Sequence, residues 1–137
     1  MDNRPIGFFD SGLGGLTSVS ALQSRLPKER AIYYGDTART PYGSKSPETI
    51  RKFASQIVDY LVSKDVKMVV IACNTVTSLA LDDLRQQHPE LPIIGVIEPT
   101  VRKVVQSHCP NVGIIATKAT IQSDVYARLL HNLDPSI

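Results

Sequence analysis

The sequence predicts an α/β fold, an open parallel sheet with flanking helices, on three observations. Five short apolar runs punctuate the chain: Ile6 to Phe9, Ala31 to Tyr34, Met68 to Ala72, Ile93 to Ile97 and Val112 to Ala116. Between them lie stretches of helical periodicity, which together give the βαβ signature of a parallel sheet. All but one of the runs end abruptly on polar side chains, as strands do where a ligand crevice lies beyond their carboxyl ends.

The first run leads into Asp10-Ser11-Gly12-Leu13-Gly14-Gly15 and then a helix from about Leu16 to Arg25. Glycines in this turn permit positive φ and close backbone approach, and the following helix N-terminus attracts an anion, so a carboxylate or phosphate is the expected ligand. The competing reading is a tight β-α turn that uses glycine for geometry alone. The second run opens into a long loop, Gly35 to Lys45, with little apolar content to bury, which suits a binding loop better than a connector. Within it Asp36 and Arg39, taken singly, read as solvated charges. Tyr42-Gly43 reads as the better ligand contact, because the Gly43 amide can approach a carboxylate with no side chain in the way.

The clearest helix has Ser46 as N-cap and Pro47 in first position, then Ile50, Phe53, Ala54, Ile57, Val58, Leu61 and Val62 on one face. The third run, Met68 to Ala72, stops at Cys73-Asn74-Thr75 before a helix from Thr77 to Gln87. A cysteine at a strand-to-helix junction meets amide N–H groups and a helix dipole, which makes Cys73 a candidate acid/base group or nucleophile. A small buried cysteine that merely ends a core strand is the plain alternative. After the fourth run, Glu98-Pro99 is the expected hinge, dividing residues 1–97, a first α/β domain, from residues 98–137, the start of a second. A helix from Thr100 to Ser107, the fifth strand, Thr117 and a helix from Ile121 to Leu133 complete the chain.

Composition excludes several classes. Hydrophobic content of 42%, charged content of 20% and net charge of +2 describe a globular chain with no field that implies nucleic acid or a membrane surface. Cys73 and Cys109 show no Cys-x-x-Cys or Cys/His spacing suited to zinc, and a reducing cytoplasm is the simplest compartment. The N-terminus has no signal-peptide h-region. Gly12-x-Gly14-Gly15 misplaces the third glycine of the dinucleotide fingerprint, and Gly43-Ser44-Lys45-Ser46 lacks the earlier glycine of a P-loop.

Four motifs in order resemble those of bacterial glutamate racemases: Ile6 to Thr17, Gly35 to Gly43, Ala72 to Thr75 and Ile114 to Ile121. The resemblance covers nearly the whole chain. It implies a cofactor-independent, metal-free enzyme interconverting L- and D-glutamate for peptidoglycan, built as two domains, of which this chain holds the first and the beginning of the second. It implies that Cys73 exchanges the α-proton on one face of the substrate. It further implies that Asp10 and Ser11, Tyr42 and Gly43, Asn74 and Thr75, and Thr117 hold or polarise the amino acid. The chemistry agrees: racemisation without a cofactor needs two positioned acid/base groups and electrostatic support for the carbanion. Asp10 suits either deprotonation of Cys73 or pairing with the substrate ammonium. Asn74, Thr75 and Gly43 supply neutral donors for the α-carboxylate.

The sequence departs from the family in one respect. The family's second catalytic cysteine, in a Cys-Thr-His motif, has no counterpart here. Cys109 precedes the fifth strand while Cys73 follows the third, which in a parallel sheet separates them by about 17 to 20 Å. His88 and His131 read as helix-end or surface residues. The chain therefore reads as the N-terminal portion of a racemase, with glutamate as small-molecule partner and a homodimer or a complementary C-terminal fragment as further partners. A non-catalytic amino-acid-binding or regulatory fragment is the alternative. A racemase of the same superfamily acting on another carboxylic acid is a third reading.

Overall fold

The computed structural model describes residues 2–136. Strands β1 (Ile6–Asp10), β2 (Ala31–Gly35), β3 (Met68–Ile71) and β4 (Ile93–Gly95) form a parallel sheet in the order β2-β1-β3-β4. The chain leaves β1 toward one edge of the sheet and returns on the other side of β1 to lay down β3. The direction of winding thus reverses between two neighbouring strands, and the crevice beyond their carboxyl ends is where such sheets bind ligands. Phe9 pairs with Ile71 in register, and the Ala72 amide donates to the Phe9 carbonyl at 2.8 Å. Asp10 and Cys73, 63 positions apart in numbering, consequently leave the sheet side by side.

Helices α2 (Pro47–Val62) and α3 (Asn74–Gln87) cover one face. Alternation along the strands sends Phe9, Val69, Ile71 and Ile93 toward them, where they pack with Ile50, Ile57, Val58 and Leu61 of α2 and Val76, Ala80 and Leu84 of α3. Ser46 caps α2 as expected, its hydroxyl accepting from the Thr49 amide at 3.2 Å, with Pro47 in the first position where a missing N–H costs nothing. Helix α1 (Leu16–Arg25) has no buried residue. The opposite sheet face is covered unevenly, with Ile6 and Phe8 of β1 buried and Ile94 on the edge strand β4 43% exposed. A second, smaller cluster joins Ile97 and Val101 of α4 (Ile97–Gln106) to Val125 and Leu130 of α6 (Val125–Leu133), with α5 (Lys118–Gln122) before α6. No helix among the described residues is long and apolar enough to cross a membrane.

Four expectations need correction. Val112 to Ala116 is not a strand. A strand exists only through its ladder, and here Val112 and Ile114 instead pack half-buried on the second cluster while Ile115 is fully exposed. Helix α3 starts at Asn74 rather than Thr77, which makes Cys73 its N-cap. Helix α4 starts at Ile97 and takes Glu98-Pro99 into its first turn, so these two residues are not an extended hinge; a proline there forfeits only an N–H that has no intrahelical partner. The last helix is two helices, broken at Asp124, whose left-handed φ of 55° is a conformation that Asp tolerates.

Candidate active site

Cys73 is 7% exposed and stands between the end of β3 and the first turn of α3. Its Sγ donates to Ser11 Oγ at 3.4 Å, which ties the β3-α3 junction to the β1-α1 turn across the crevice. Asp10, also 7% exposed, ends β1. One carboxylate oxygen accepts from the Ser11 amide and the other from the Gly15 amide, both at 2.8 Å. The Asp10 carboxylate thus takes up the Gly15 amide at the start of α1, where the helix dipole favours an anion. The glycines of this turn serve a different purpose from the one expected, for none has positive φ among the described residues. A Cβ at Gly15 would lie 2.8 Å from Ala72 Cβ and 2.9 Å from Asp10 Cβ, so it is the close approach of strand ends that requires glycine there.

Tyr33 on β2 closes this arrangement. Its phenol donates to the Gly12 carbonyl at 2.7 Å and lies 3.3 Å from the Asp10 carboxylate. Burial first, and then the Asp10 charge, pushes the Tyr33 pKa up to about 12, so the group is a fixed donor at neutral pH.

The loop after β2 puts its side chains elsewhere than the sequence suggested. Tyr42 is 2% exposed and belongs to the main core, 5.9 Å from the Phe53 ring. Its hydroxyl donates to Asp36, and burial together with that carboxylate raises its pKa. The Tyr42 side chain is thus committed to the core, and what the Tyr42-Gly43 pair has left for a ligand is backbone. Asp36 is 2% exposed and paired with Arg39, so these are not the solvated charges expected. Gly43 abuts Thr117, where an added Cβ would meet Thr117 Cβ at 2.9 Å.

Asn74 and Thr75 open α3. The hydroxyl of Thr75 lies 2.9 Å from that of Thr117, which in turn is 3.0 Å from that of Thr120. Thr117 caps α5, accepting from the Thr120 amide at 3.3 Å. Thr117 therefore reaches the crevice although the strand expected to deliver it does not form. The Tyr126 phenol donates to Asn74 Oδ1 at 2.6 Å, leaving the Asn74 amide N–H groups as its free face.

Sequence reasoning missed Tyr33, Thr120 and Tyr126. Tyr33-Tyr34 on a strand signals that one of the pair faces the glycine turn, but choosing which requires the register. Thr120 and Tyr126 carry no such signal. Cys109 is exposed in the segment after α4. His88 caps the far end of α3, roughly 20 Å from Cys73 at 1.5 Å per residue, and lies 3.2 Å from Asp59. None of the candidate residues lines the 600 Å³ cavity formed by Pro110, Val112, Ile114, Leu130 and His131 with their neighbours; Gly43 borders a separate 430 Å³ groove with Lys45 and Lys118. The crevice thus offers one thiol, one carboxylate, the four hydroxyls of Ser11, Thr75, Thr117 and Thr120, and an amide, a set suited to proton exchange at a carbon held by its carboxylate.

Comparison with known proteins agrees with this arrangement. The Asp/Glu/Hydantoin racemase family model matches residues 17–135. A glutamate racemase of Streptococcus pneumoniae is 47% identical, the match covering all of this chain and 52% of that protein. Among solved structures, glutamate racemase from Francisella tularensis in complex with D-glutamate superposes with a TM-score of 0.93 at 49% identity, covering 100% of this chain and 51% of that one. Glutamate racemase from Aquifex pyrophilus gives a TM-score of 0.90 at 40% identity over 93% of this chain and 51% of that one. The chain spans about half the length of the relatives it matches. With the family model covering most of its length and the crevice built from the residues described above, the chain belongs to the Asp/Glu/Hydantoin racemase family.

Proposed function

We propose that this chain provides one half of a glutamate racemase site, with Cys73 as the acid/base group for one face of the α-carbon. The carrying observation is the meeting of Cys73, Ser11 and Asp10 at the ends of two adjacent strands, with Asn74, Thr75, Gly43 and Thr117 around them. The Cys73 thiolate takes the α-proton, becoming a thiol and leaving a carbanion conjugated with the α-carboxylate. Donors from Asn74, Thr75 and the Gly43 backbone support the charge that develops on that carboxylate. Asp10 meets the substrate ammonium or takes the Cys73 proton, while Ser11 keeps the thiol in place. Inversion requires a second acid that returns a proton to the opposite face. Cys109 is not that acid, being exposed beyond the end of α4.

The second acid accordingly comes from a further polypeptide half, as a covalent continuation, a complementary fragment or a partner copy. Residues 1–97 form the first domain and 98–137 begin the second. The separation of the hydrophobic clusters near Ile97 supports that division. The activity belongs in the cytoplasm, where D-glutamate enters peptidoglycan synthesis. A non-catalytic glutamate-binding fragment is the second reading, favoured by the lone thiol at the crevice.

Proton NMR of L- and D-glutamate incubated separately in heavy water with the chain distinguishes them, with Cys73→Ala as control. Loss of the α-proton signal from one enantiomer without inversion is the expected result. Inversion would show that the chain already contains its second acid. Exchange no faster than with Cys73→Ala would overturn catalysis by Cys73 in this chain and leave the binding fragment.

A further inference from the structure

The loop between β2 and α2 carries an ion pair that the proposed chemistry does not use. The Asp36 carboxylate, 2% exposed, accepts from the Tyr42 phenol and is ion-paired with Arg39, whose Nε lies 2.6 Å away. Arg39 in turn lays its guanidinium 4.1 Å from the centre of the Phe53 ring and donates to Gln56 Oε1 at 2.8 Å, both on α2. The Asp36 amide donates to the Asp10 carbonyl at 2.9 Å, so one end of the loop is fastened to the end of β1. The other end is fastened by Tyr42 in the core and by the Lys45 amide, which donates to the Tyr42 carbonyl at 3.0 Å.

Such a pair is a poor device for stability alone. Desolvating a carboxylate and a guanidinium is costly, and well-packed apolar residues of similar size do as well or better. What two hydrogen bonds and an ion pair provide instead is a single geometry for a segment with almost nothing apolar to anchor it. The segment so fixed is the one whose backbone at Tyr42-Gly43 lies against Thr117 at the crevice.

We infer that Asp36, with Arg39 and the Tyr42 phenol, is a latch that positions the Tyr42-Gly43 backbone for a substrate carboxylate. Asp36 is a positioning residue, not a catalytic one. The inference rests on the glutamate reading above for the identity of the ligand, but the latch itself is decided without a ligand.

The test compares the 137-residue chain with its Asp36→Asn, Tyr42→Phe and Arg39→Lys variants by NMR. Amide hydrogen exchange is read at Lys45, whose bond to Tyr42 reports the loop, and at Phe8 and Val58, which report the sheet and α2. D-glutamate titration is read in the same spectra. The latch predicts exchange at Lys45 faster by about tenfold or more in Asp36→Asn, with Phe8 and Val58 within about twofold of the parent. It also predicts D-glutamate affinity weaker by about tenfold, through lost preorganisation. Unchanged exchange at Lys45 in all three variants overturns the latch, as does an equal rise at all three amides. Faster loop exchange with unchanged affinity overturns the positioning role. Should Asp36→Asn fail to fold, Tyr42→Phe and Arg39→Lys decide the matter, since each removes one arm and keeps the carboxylate. A parent chain that D-glutamate does not perturb refutes the glutamate reading alone, because the exchange arm still stands.

Discussion

Tyr33 shows how much a single side chain can organise. One phenol reaches both the Gly12 carbonyl and the Asp10 carboxylate, and it does so only as the neutral, protonated species. Its ordinary pKa near 10 is raised to about 12 in the folded chain. The stabilisation is therefore complete below about pH 10 and lost as pH rises from 10 toward 12. In Tyr33→Phe the fall in urea midpoint across that interval should be shallower than in the parent, and the absorbance change of phenolate formation near pH 12 should lose amplitude. Equal pH slopes would show that Tyr33 ionises freely. The same scale separates what was legible in Cys73 from what was not. A cysteine ending an apolar run before Asn and Thr marks a strand-to-helix junction in the sequence. That it is the N-cap, and that Ser11 is its partner, follows only from the pairing of β1 with β3.

At the scale of elements, the β1-α1 connection is a compression rather than a flexible turn. The α1 N-terminus sits so close to the strand ends that Gly15 has Ala72 and Asp10 within 3 Å of where a Cβ would be. Gly15→Ala should destabilise the chain by about 1 to 3 kcal/mol, the usual range for overpacking a close contact, and alanine is also the poorer residue at an N-cap. Chemical denaturation measures this, and a neutral or stabilising result would mean that the junction relaxes at no cost. Elements with strong local signals were readable to within a residue: α2, from its Ser46-Pro47 start and apolar face, and α1. Those decided by pairing were not. Val112 to Ala116 has the pattern of a strand, but it pairs with neither edge of the sheet, and two of its apolar side chains pack against the cluster of α4 and α6 instead.

Across the whole molecule, the two hydrophobic clusters are joined at the crevice by hydrogen bonds: Thr75 with Thr117 and Thr120, and Asn74 with Tyr126. The second cluster is thereby tied to the start of α3, beside Cys73. Tyr126→Phe should cost about 1 kcal/mol in urea unfolding, and that cost should nearly vanish in an Asn74→Ala background, since the double-mutant cycle isolates the one bond. A cost that persists undiminished would assign Tyr126 to packing within its own cluster.

Periodicity and nearest-neighbour chemistry were enough for the α/β class, the order of the elements from β1 to α4, the Ser46 cap of α2 and the residue types gathered at strand ends. Only the tertiary structure decided that Asp10 takes up the Gly15 amide at the start of α1, that Tyr42 and Asp36 are buried together, and that Thr117 arrives without a strand. These depend on strand order and on which buried polar groups find partners, and both are set by contacts between residues far apart in the chain.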